Sequence, residues 1–434
     1  MKGGLKVSFL ASLVVLMAAV TASASGFGIY EWSARGNAMG GAVAANPKDA
    51  SAIAYNPAGM TELEGNNMML GASAINPYAD MDFEGYEGST AKSNVWIPPH
   101  LYMTNQLTDK WWVGIGSFSR FGLGTEWEET WAGRYNVTEA SIQTLSVNPN
   151  LAYKLNDKWS FAVGGELMWM EFLQRKVVDH DSAANAFNGG KNNPNTYNTD
   201  TDAKLLGDSV GLGLTLSMFH KPLDWLSVGL TYRSQIKHKI QGDAYFARIG
   251  SQPGAVSQYS QNTTASGIII LPDSVTVAVA VKPMDKLTLE ADLIWTRWST
   301  YQELRIDYGI PLVPAAPTIS DHSTSNKNWR DTWRYALGAE YALTDMVDLR
   351  AGYIYDQSPI SDDGADYMLP TSDRQLYSTG LGFHWDNWVV DVSYIYLTSQ
   401  EREYVDSHTS DGVLAGTSKG MVTHIGGLSL GYTF

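Results

Sequence analysis

The side chains of this chain that could do acid–base or metal chemistry are numerous but dispersed. Eight histidines are scattered among forty-five aspartates and glutamates. No His-Glu-x-x-His occurs, and the glycine-rich stretches are not followed by the helix that a phosphate loop needs. A barrel lipase or protease would need serine or aspartate gathered with histidine at a rim, which the scatter does not offer. Cysteine is absent, which removes thiolate zinc sites, redox pairs and a disulfide framework. Asp362-Asp363-Gly364-Ala365-Asp366 could bind calcium but reads better as a solvated loop. The expectation is a protein with no catalytic residues, no metal and no cofactor. What remains is Glu166, Arg233, Glu290, Asp292, Arg334, Glu340, Arg350 and Asp391, whose chemistry is charge pairing and the holding of a charged group.

The elements that carry these charges alternate strictly. In Val210-Gly-Leu-Gly-Leu-Thr-Leu-Ser-Met218 the large apolar residues take one parity and the glycines, Thr215 and Ser217 the other. Strand side chains alternate faces, so this is a strand with one greasy and one small or polar surface. Val275, Val277, Val279 and Val281 share a face, as do Leu287, Leu289, Leu293 and Trp295, and Trp333, Tyr335, Leu337 and Tyr341. The charges named above mostly take the opposite parity. A lipid-facing Arg or Lys at mid-membrane would cost about 2–4 kcal/mol, so this placement fits an outer-membrane barrel with a charged lumen. His424 breaks the parity and is expected near the outer interface.

Lys2 and Lys6, the apolar stretch Val7 to Val20, and Ala22-Ser23-Ala24 have the pattern of a secretory signal peptide spanning 1–24. Beyond it no run of eighteen apolar residues occurs, so no membrane helix is expected. Charged residues make up 17% and aromatics 12%, including fifteen Trp and twenty-three Tyr, a balance suited to aromatic girdles. A net charge of −15 argues against nucleic acid as a partner.

Six short Asp/Asn/Pro turns punctuate the chain at 108–110, 156–158, 221–224, 282–285, 344–346 and 386–387. Trp111, Trp159, Trp225 and Trp388 each follow one, at the level where a strand enters the bilayer. Seven longer polar excursions lie near 83–93, 119–140, 176–203, 242–267, 309–325, 357–372 and 403–418. Six and seven connections join fourteen strands: an all-β, antiparallel outer-membrane barrel over 66–434. Its last strand ends Tyr432-Thr-Phe434, similar to the terminus read by the barrel-assembly machinery.

Residues 25–65 lack the alternation. They are rich in Ala and Gly, with Asn46-Pro47 and Asn56-Pro57-Ala58-Gly59 stopping short helical turns, because the residue before proline is pushed out of the helix. Few charges and many small residues suit burial, so a plug in the lumen is expected.

Gly26-Phe27, Arg35-Gly36, Asn37-Ala-Met-Gly-Gly41 and above all Asn56, Pro57 and Ala58 resemble the hatch of the FadL family of outer-membrane long-chain fatty acid transporters. Tyr232-Arg233-Ser234, Trp298-Ser299, Asp331-Thr332-Trp333-Arg334 and Asp356-Gln-Ser-Pro359 extend the resemblance in unbroken order to Phe434. It implies a monomeric fourteen-stranded barrel of the Gram-negative outer membrane, embedded among lipid and lipopolysaccharide. Hydrophobic ligands would be taken up passively, caught between outer loops and bound inside. They would then leave sideways beside a kinked third strand as the hatch moves.

By order that strand begins at Trp111, and Gly114, Gly116, Gly122 and Gly124 are its kink candidates, although packing against the hatch would equally explain Gly114 and Gly116. Phe118, Phe121, Leu123, Trp127 and Trp131 are candidates for the loop groove, with an aromatic girdle as the other reading. Phe27 matches the family's N-terminal Phe beside the ligand, and Arg305 matches a basic head-group residue. Where the family places another Arg this chain has Glu171, with Arg175 and Lys176 further on, which leaves room for an uncharged substrate. Arg334 is expected to face inward and to pair with Glu340 or another lumen acid. Long-chain fatty acid is the expected cargo, aromatic or aliphatic hydrocarbon the alternative. A hatch would oppose an open porin.

Overall fold

The computed structural model describes residues 26–178, 200–248, 261–315, 318–404 and 411–434. The signal peptide expected over 1–24 and most of the excursion at 176–203 lie outside them. Fourteen antiparallel strands close into a barrel. They are β1 (Asn66–Tyr78), β2 (Pro99–Gln106) and β3 (Trp111–Phe118, resuming at Gly122–Glu126). β4 (Glu139–Asn156), β5 (Trp159–Val178) and β6 (Thr201–Leu223) are long and unbroken. Four broken strands follow: β7 (Leu226–Arg233, Ile236–Arg248), β8 (Thr263–Leu271, Ser274–Met284), β9 (Leu287–Thr296, Glu303–Ala315) and β10 (Thr318–Asn326, Thr332–Ala342). The wall ends with β11 (Val347–Asp356), β12 (Arg374–Trp385), β13 (Trp388–Ser399) and β14 (Val422–Thr433). β14 pairs with β1 from Tyr78↔Val422 to Asn67↔Thr433, so no edge is left open.

The parity holds. Leu167, Val210, Leu212, Leu216 and Leu337 are exposed outward, whereas Glu166, Arg233, Glu290, Asp292, Arg334, Glu340, Arg350 and Asp391 are buried inside. His424 faces out and meets the Tyr394 hydroxyl at 2.7 Å, between the rings of Tyr78 and Tyr396. That is an interfacial aromatic belt, where a polar ring is tolerated. The short turns also fall where expected. In the tightest, Asp386 takes φ of 50°, left-handed backbone that Asp tolerates.

Two excursions are strand over much of their described residues. Around 242–267 and 309–325 the strands continue to Arg248 and from Thr263, and to Ala315 and from Thr318. Above the bilayer neither face meets lipid, so ladder hydrogen bonds persist without the apolar alternation that marks a spanning strand. Two other excursions form a small outer sheet, Asp80–Phe83 with Ser89–Thr90 and Gly416–Ser418 with Arg402–Tyr404. Trp127 and Trp131 stack at 4.2 Å beneath it against Tyr367 and Phe83. Both are buried, so neither belongs to an outer girdle.

Residues 26–65 fill the lumen as two short helices, α1 (Ala34–Ala38) and α2 (Ala52–Tyr55), and a 3-10 turn over Pro57–Glu62. Ser33 caps α1 by accepting from the Gly36 N–H. The wall makes room with glycine: a Cβ on Gly352 would lie 2.3 Å from the Gly40 nitrogen, and one on Gly229 would lie 2.5 Å from the Ala44 oxygen.

Candidate functional site

Asn56, Pro57 and Ala58 are a backbone clamp. The Asn56 side-chain amide donates to the carbonyls of Ala44 at 2.8 Å and Met218 at 3.2 Å, and its oxygen accepts from the Ala58 N–H. That N–H also meets the Ser217 hydroxyl of β6 at 2.9 Å. Pro57 sits at the first position of the 3-10 turn, where its missing donor costs nothing. Ionic contacts complete the seating. Arg35 of α1 meets Glu340 at 2.9 Å, and Arg350 holds the same carboxylate at 2.7 Å and Asp391 at 2.5 Å. Arg233 donates to the Ile53 and Ala54 carbonyls at the end of α2. Buried pairs of this kind fix register more than they add stability.

Above the hatch lies a cavity of about 380 Å³, within the range of small-ligand sites. Phe27, Gly28 and Ile29 form one side, with Phe121, Leu123 and Ile142 beside them and Leu376, Leu397 and Ile425 opposite. Phe27 is wedged edge-on among Phe121, Trp298 and Tyr301. Phe27, Phe121 and Leu123 therefore lie together as the sequence suggests. Phe118 does not: it turns to the hatch and packs on Trp32 and Tyr102.

The cavity reaches the outside of the wall. Its lining includes Ile97, Leu145 and Trp169, whose side chains are exposed on the outer barrel face. The passage exists because two strands part. β2 pairs with β3 only from Leu101↔Ser117 down to Gln106↔Trp112. Pro98 and Pro99 precede Leu101 and can donate no ladder bonds. On the other side β3 breaks after Phe118, the Ser119 hydroxyl bonds the Thr144 carbonyl at 2.6 Å, and Arg120 turns inward to Glu166 at 2.8 Å.

The N-terminal segment spans this break through a single antiparallel bridge, Gly28 to Phe121. The Ile29 N–H donates to the Arg120 carbonyl at 2.8 Å and the Gly122 N–H to the Phe27 carbonyl at 2.9 Å. Glycine leaves room at both 122 and 124: a Cβ at 124 would sit 2.2 Å from the Trp96 ring, and one at 122 would displace the tip of the Ile29 side chain, 2.4 Å away. Gly114 and Gly116 are a correction. They lie below the break in regular ladder, opposite Thr104 and Tyr102, and their missing side chains admit Ile53 and Met60 of the hatch.

The cationic side of the cavity also differs from expectation. Arg305 lies on the outward face of β9, half exposed, with its guanidinium on Asp307 at 2.8 Å. It is not among the residues that line this cavity, because Leu304 and Ile306 take the inward parity of that strand. Arg334 does line it, and the lumen acid it pairs with is Asp356 at 3.1 Å, Glu340 being held by Arg35, Lys48 and Arg350. Arg374, which sequence reasoning missed, completes a row. Arg334↔Asp356↔Arg374 are direct neighbours across β10, β11 and β12, and Arg374 reaches the same Asp356 oxygen at 2.9 Å.

Two buried guanidiniums thus share one carboxylate, and the Nε–H of each has no acceptor. The Arg334 guanidinium also lies 4.2 Å over the Tyr30 ring of the hatch. Lys92 at the rim offers no alternative cation, being paired with Glu126 at 3.1 Å. A hydrogen bond from Asn94, ahead of Lys92, holds that carboxyl below its ordinary range, so it stays charged. The sequence signal for the row was the inward parity of Arg374 opposite Asp356, legible only once register is known.

The family model described as outer membrane protein transport protein (OMPP1/FadL/TodX) matches residues 15–434. The long-chain fatty acid transport protein of Escherichia coli O6:H1 is 26% identical, with 91% of this chain and 92% of that protein covered. Among solved structures, a Pseudomonas aeruginosa FadL homologue superposes with a TM-score of 0.83 at 21% identity, covering 94% and 100% of the two chains. The Pseudomonas putida toluene transporter TodX gives 0.71 at 17% identity over 94% and 100%.

Proposed function

Since this chain belongs to the OMPP1/FadL/TodX family of outer-membrane transport proteins for hydrophobic compounds, we propose that its cargo is a long-chain fatty acid released sideways through the wall. The observation that carries this reading is the row Arg334–Asp356–Arg374. Two guanidiniums share one acid on the wall of a mostly apolar cavity and keep two unused Nε–H donors, with Glu31 as the further carboxylate of the lining outside the Lys92–Glu126 pair. A carboxylate accepts those donors in charge-assisted hydrogen bonds. The acyl chain lies along Leu376, Leu397 and Ile425 toward Phe27, each buried methylene contributing about 0.8 kcal/mol.

Because Phe27, Gly28 and Ile29 both line the cavity and plug the break in β3, a ligand that displaces Phe27 pulls the plug. The two hydrogen bonds to Arg120 and Gly122 then open, and the chain slides past Trp96 and Ile97 into the membrane. No energy source is needed, since the apolar path is downhill into lipid.

A hydrocarbon cargo is the second reading, favoured by the mostly apolar lining and by the likeness in fold to the toluene transporter TodX. Equilibrium binding to the detergent-solubilised protein separates the two. Oleate should bind at least about tenfold more tightly than oleyl alcohol, which keeps the chain but not the charge. Equal affinities would favour the hydrocarbon reading.

A further inference from the structure

The opening between β2 and β3 has a sharp lower end, and its cause lies in the direction of the amides. Successive residues of a strand bond to opposite neighbours. Trp96 and Ile75 exchange both backbone bonds, and the Ser73 N–H donates to the Pro98 carbonyl at 3.2 Å, so the even residues here face β1. The odd residues of β2 therefore face β3, as in the last pair, Leu101↔Ser117. The next bonded pair up would set residue 99 opposite Ser119, and residue 99 is proline. The wall has no N–H at the point where the Ser119 carbonyl needs a donor.

The donor comes from inside the barrel. The Trp32 indole N–H of the hatch donates to the Ser119 carbonyl at 2.8 Å. The Trp32 carbonyl accepts from the Tyr102 hydroxyl of β2, also at 2.8 Å. One hatch residue thus holds both strands that flank the opening, at its lower end. The Trp32 ring is buried between Tyr55 and Phe118, with centroids 5.2 and 5.4 Å away. Its neighbours are tied down too. The Glu31 carbonyl accepts from the Ser73 hydroxyl at 3.3 Å, and the Ala34 N–H donates to the Ser429 hydroxyl at 2.8 Å.

We propose that Trp32 is the positioning residue of lateral release. Its indole replaces the amide that Pro99 lacks, fixes how far down β2 and β3 part, and gives the segment before it a fixed point about which to swing. The role in release rests on the passage through the wall proposed above, whereas the clasp itself does not. Pro99 and Trp32 are complementary. With an amide at 99 the ladder would climb one pair and shorten the opening. Without the indole the buried Ser119 carbonyl would lose its donor, and the last pair, Leu101↔Ser117, would loosen first.

The test is hydrogen exchange of the full-length purified barrel without ligand, read by mass spectrometry on peptides spanning Leu101 and Ser117. W32F keeps a ring in the pocket but removes the N–H, and should speed exchange there about tenfold, the fold-change of one lost hydrogen bond. Y102F removes the other bond, leaves every hatch side chain in place, and should act in the same direction. P99A/W32F gives the wall its own donor and should return exchange to within about twofold of wild type. An amide on β2 would not rescue a loss of ring packing. Unchanged exchange in both W32F and Y102F, or a rise in W32F that P99A fails to relieve, would overturn the clasp. In lipid vesicles at saturating oleate, P99A/W32F should take up fatty acid severalfold more slowly than wild type. The expected exchange pattern with unaltered uptake would overturn the role in release, and with it release through this opening, while the clasp stands.

Discussion

Replacing Arg374 with leucine lowers oleate affinity about thirtyfold and leaves decane affinity nearly unchanged. The size follows from the loss of a charge-assisted hydrogen bond in a water-poor cavity, about 2 kcal/mol, and from the tenfold that each 1.4 kcal/mol represents. The design keeps the fold intact. With Arg374 gone, Asp356 remains paired with Arg334 at 3.1 Å, so no buried charge is abandoned, and only one cationic donor disappears. Neutralising the acid as well, in R374L/D356N, frees Arg334 from its carboxylate and should recover most of the oleate affinity. Fluorescent fatty-acid displacement on the purified protein measures both. If R374L binds oleate as wild type does, the arginine row is not the head-group site.

Locking the N-terminus to the wall should stop transport without closing the cavity. Gly28 and Phe121 form an isolated antiparallel bridge. The flanking bonds, Ile29 to Arg120 and Gly122 to Phe27, make it the closely spaced kind, with Cα atoms about 4.5 Å apart and suited to a disulfide. The chain has no cysteine of its own, so G28C/F121C can form no other pair. Oxidised, the variant should take up oleate roughly tenfold or more slowly than when reduced, as expected when a gating motion is blocked. Comparing one protein in two redox states cancels the loss of the Phe121 ring. Equal rates in both states would mean that the N-terminal segment need not move.

The barrel was legible because lipid imposes a one-sided pattern. Alternation gave Val210 to Met218 and the Val275 and Leu287 strands their faces, and the Asp/Asn turns marked their ends. The same rule failed at 242–267 and 309–325, where the strands have left the lipid. The hatch was legible as a lack of alternation, and Asn56-Pro57-Ala58 as a turn, but its bonds to Met218 and Ser217 are contacts across some 160 positions of chain.

The cavity was legible in part. Phe27, Phe121 and Leu123 were found, since aromatic and apolar residues near a strand break have few other uses. Arg305 was placed by its position in a family pattern and proved to sit on the outward parity of β9. Arg374 and Arg334 become a site only through the register that sets both beside Asp356. Gly114 and Gly116 show the limit of composition: glycine accommodates a bend or a close neighbour equally well, and only the neighbour, here Ile53 and Met60, decides.

Release through the wall, and not down the lumen, can be read from covalent trapping. A long-chain fatty acid with a diazirine at its methyl end is supplied to the protein in lipid bilayers, photolysed during transit, and its adducts are mapped by peptide mass spectrometry. Lateral release predicts adducts on Ile97, Leu145 and Trp169 in excess of those on oxidised G28C/F121C, where fatty acid reaches these outward residues only from the bilayer. Adducts confined to the hatch below the cavity, at Met60, Thr61 and Leu63, with none on the outer face, would contradict it.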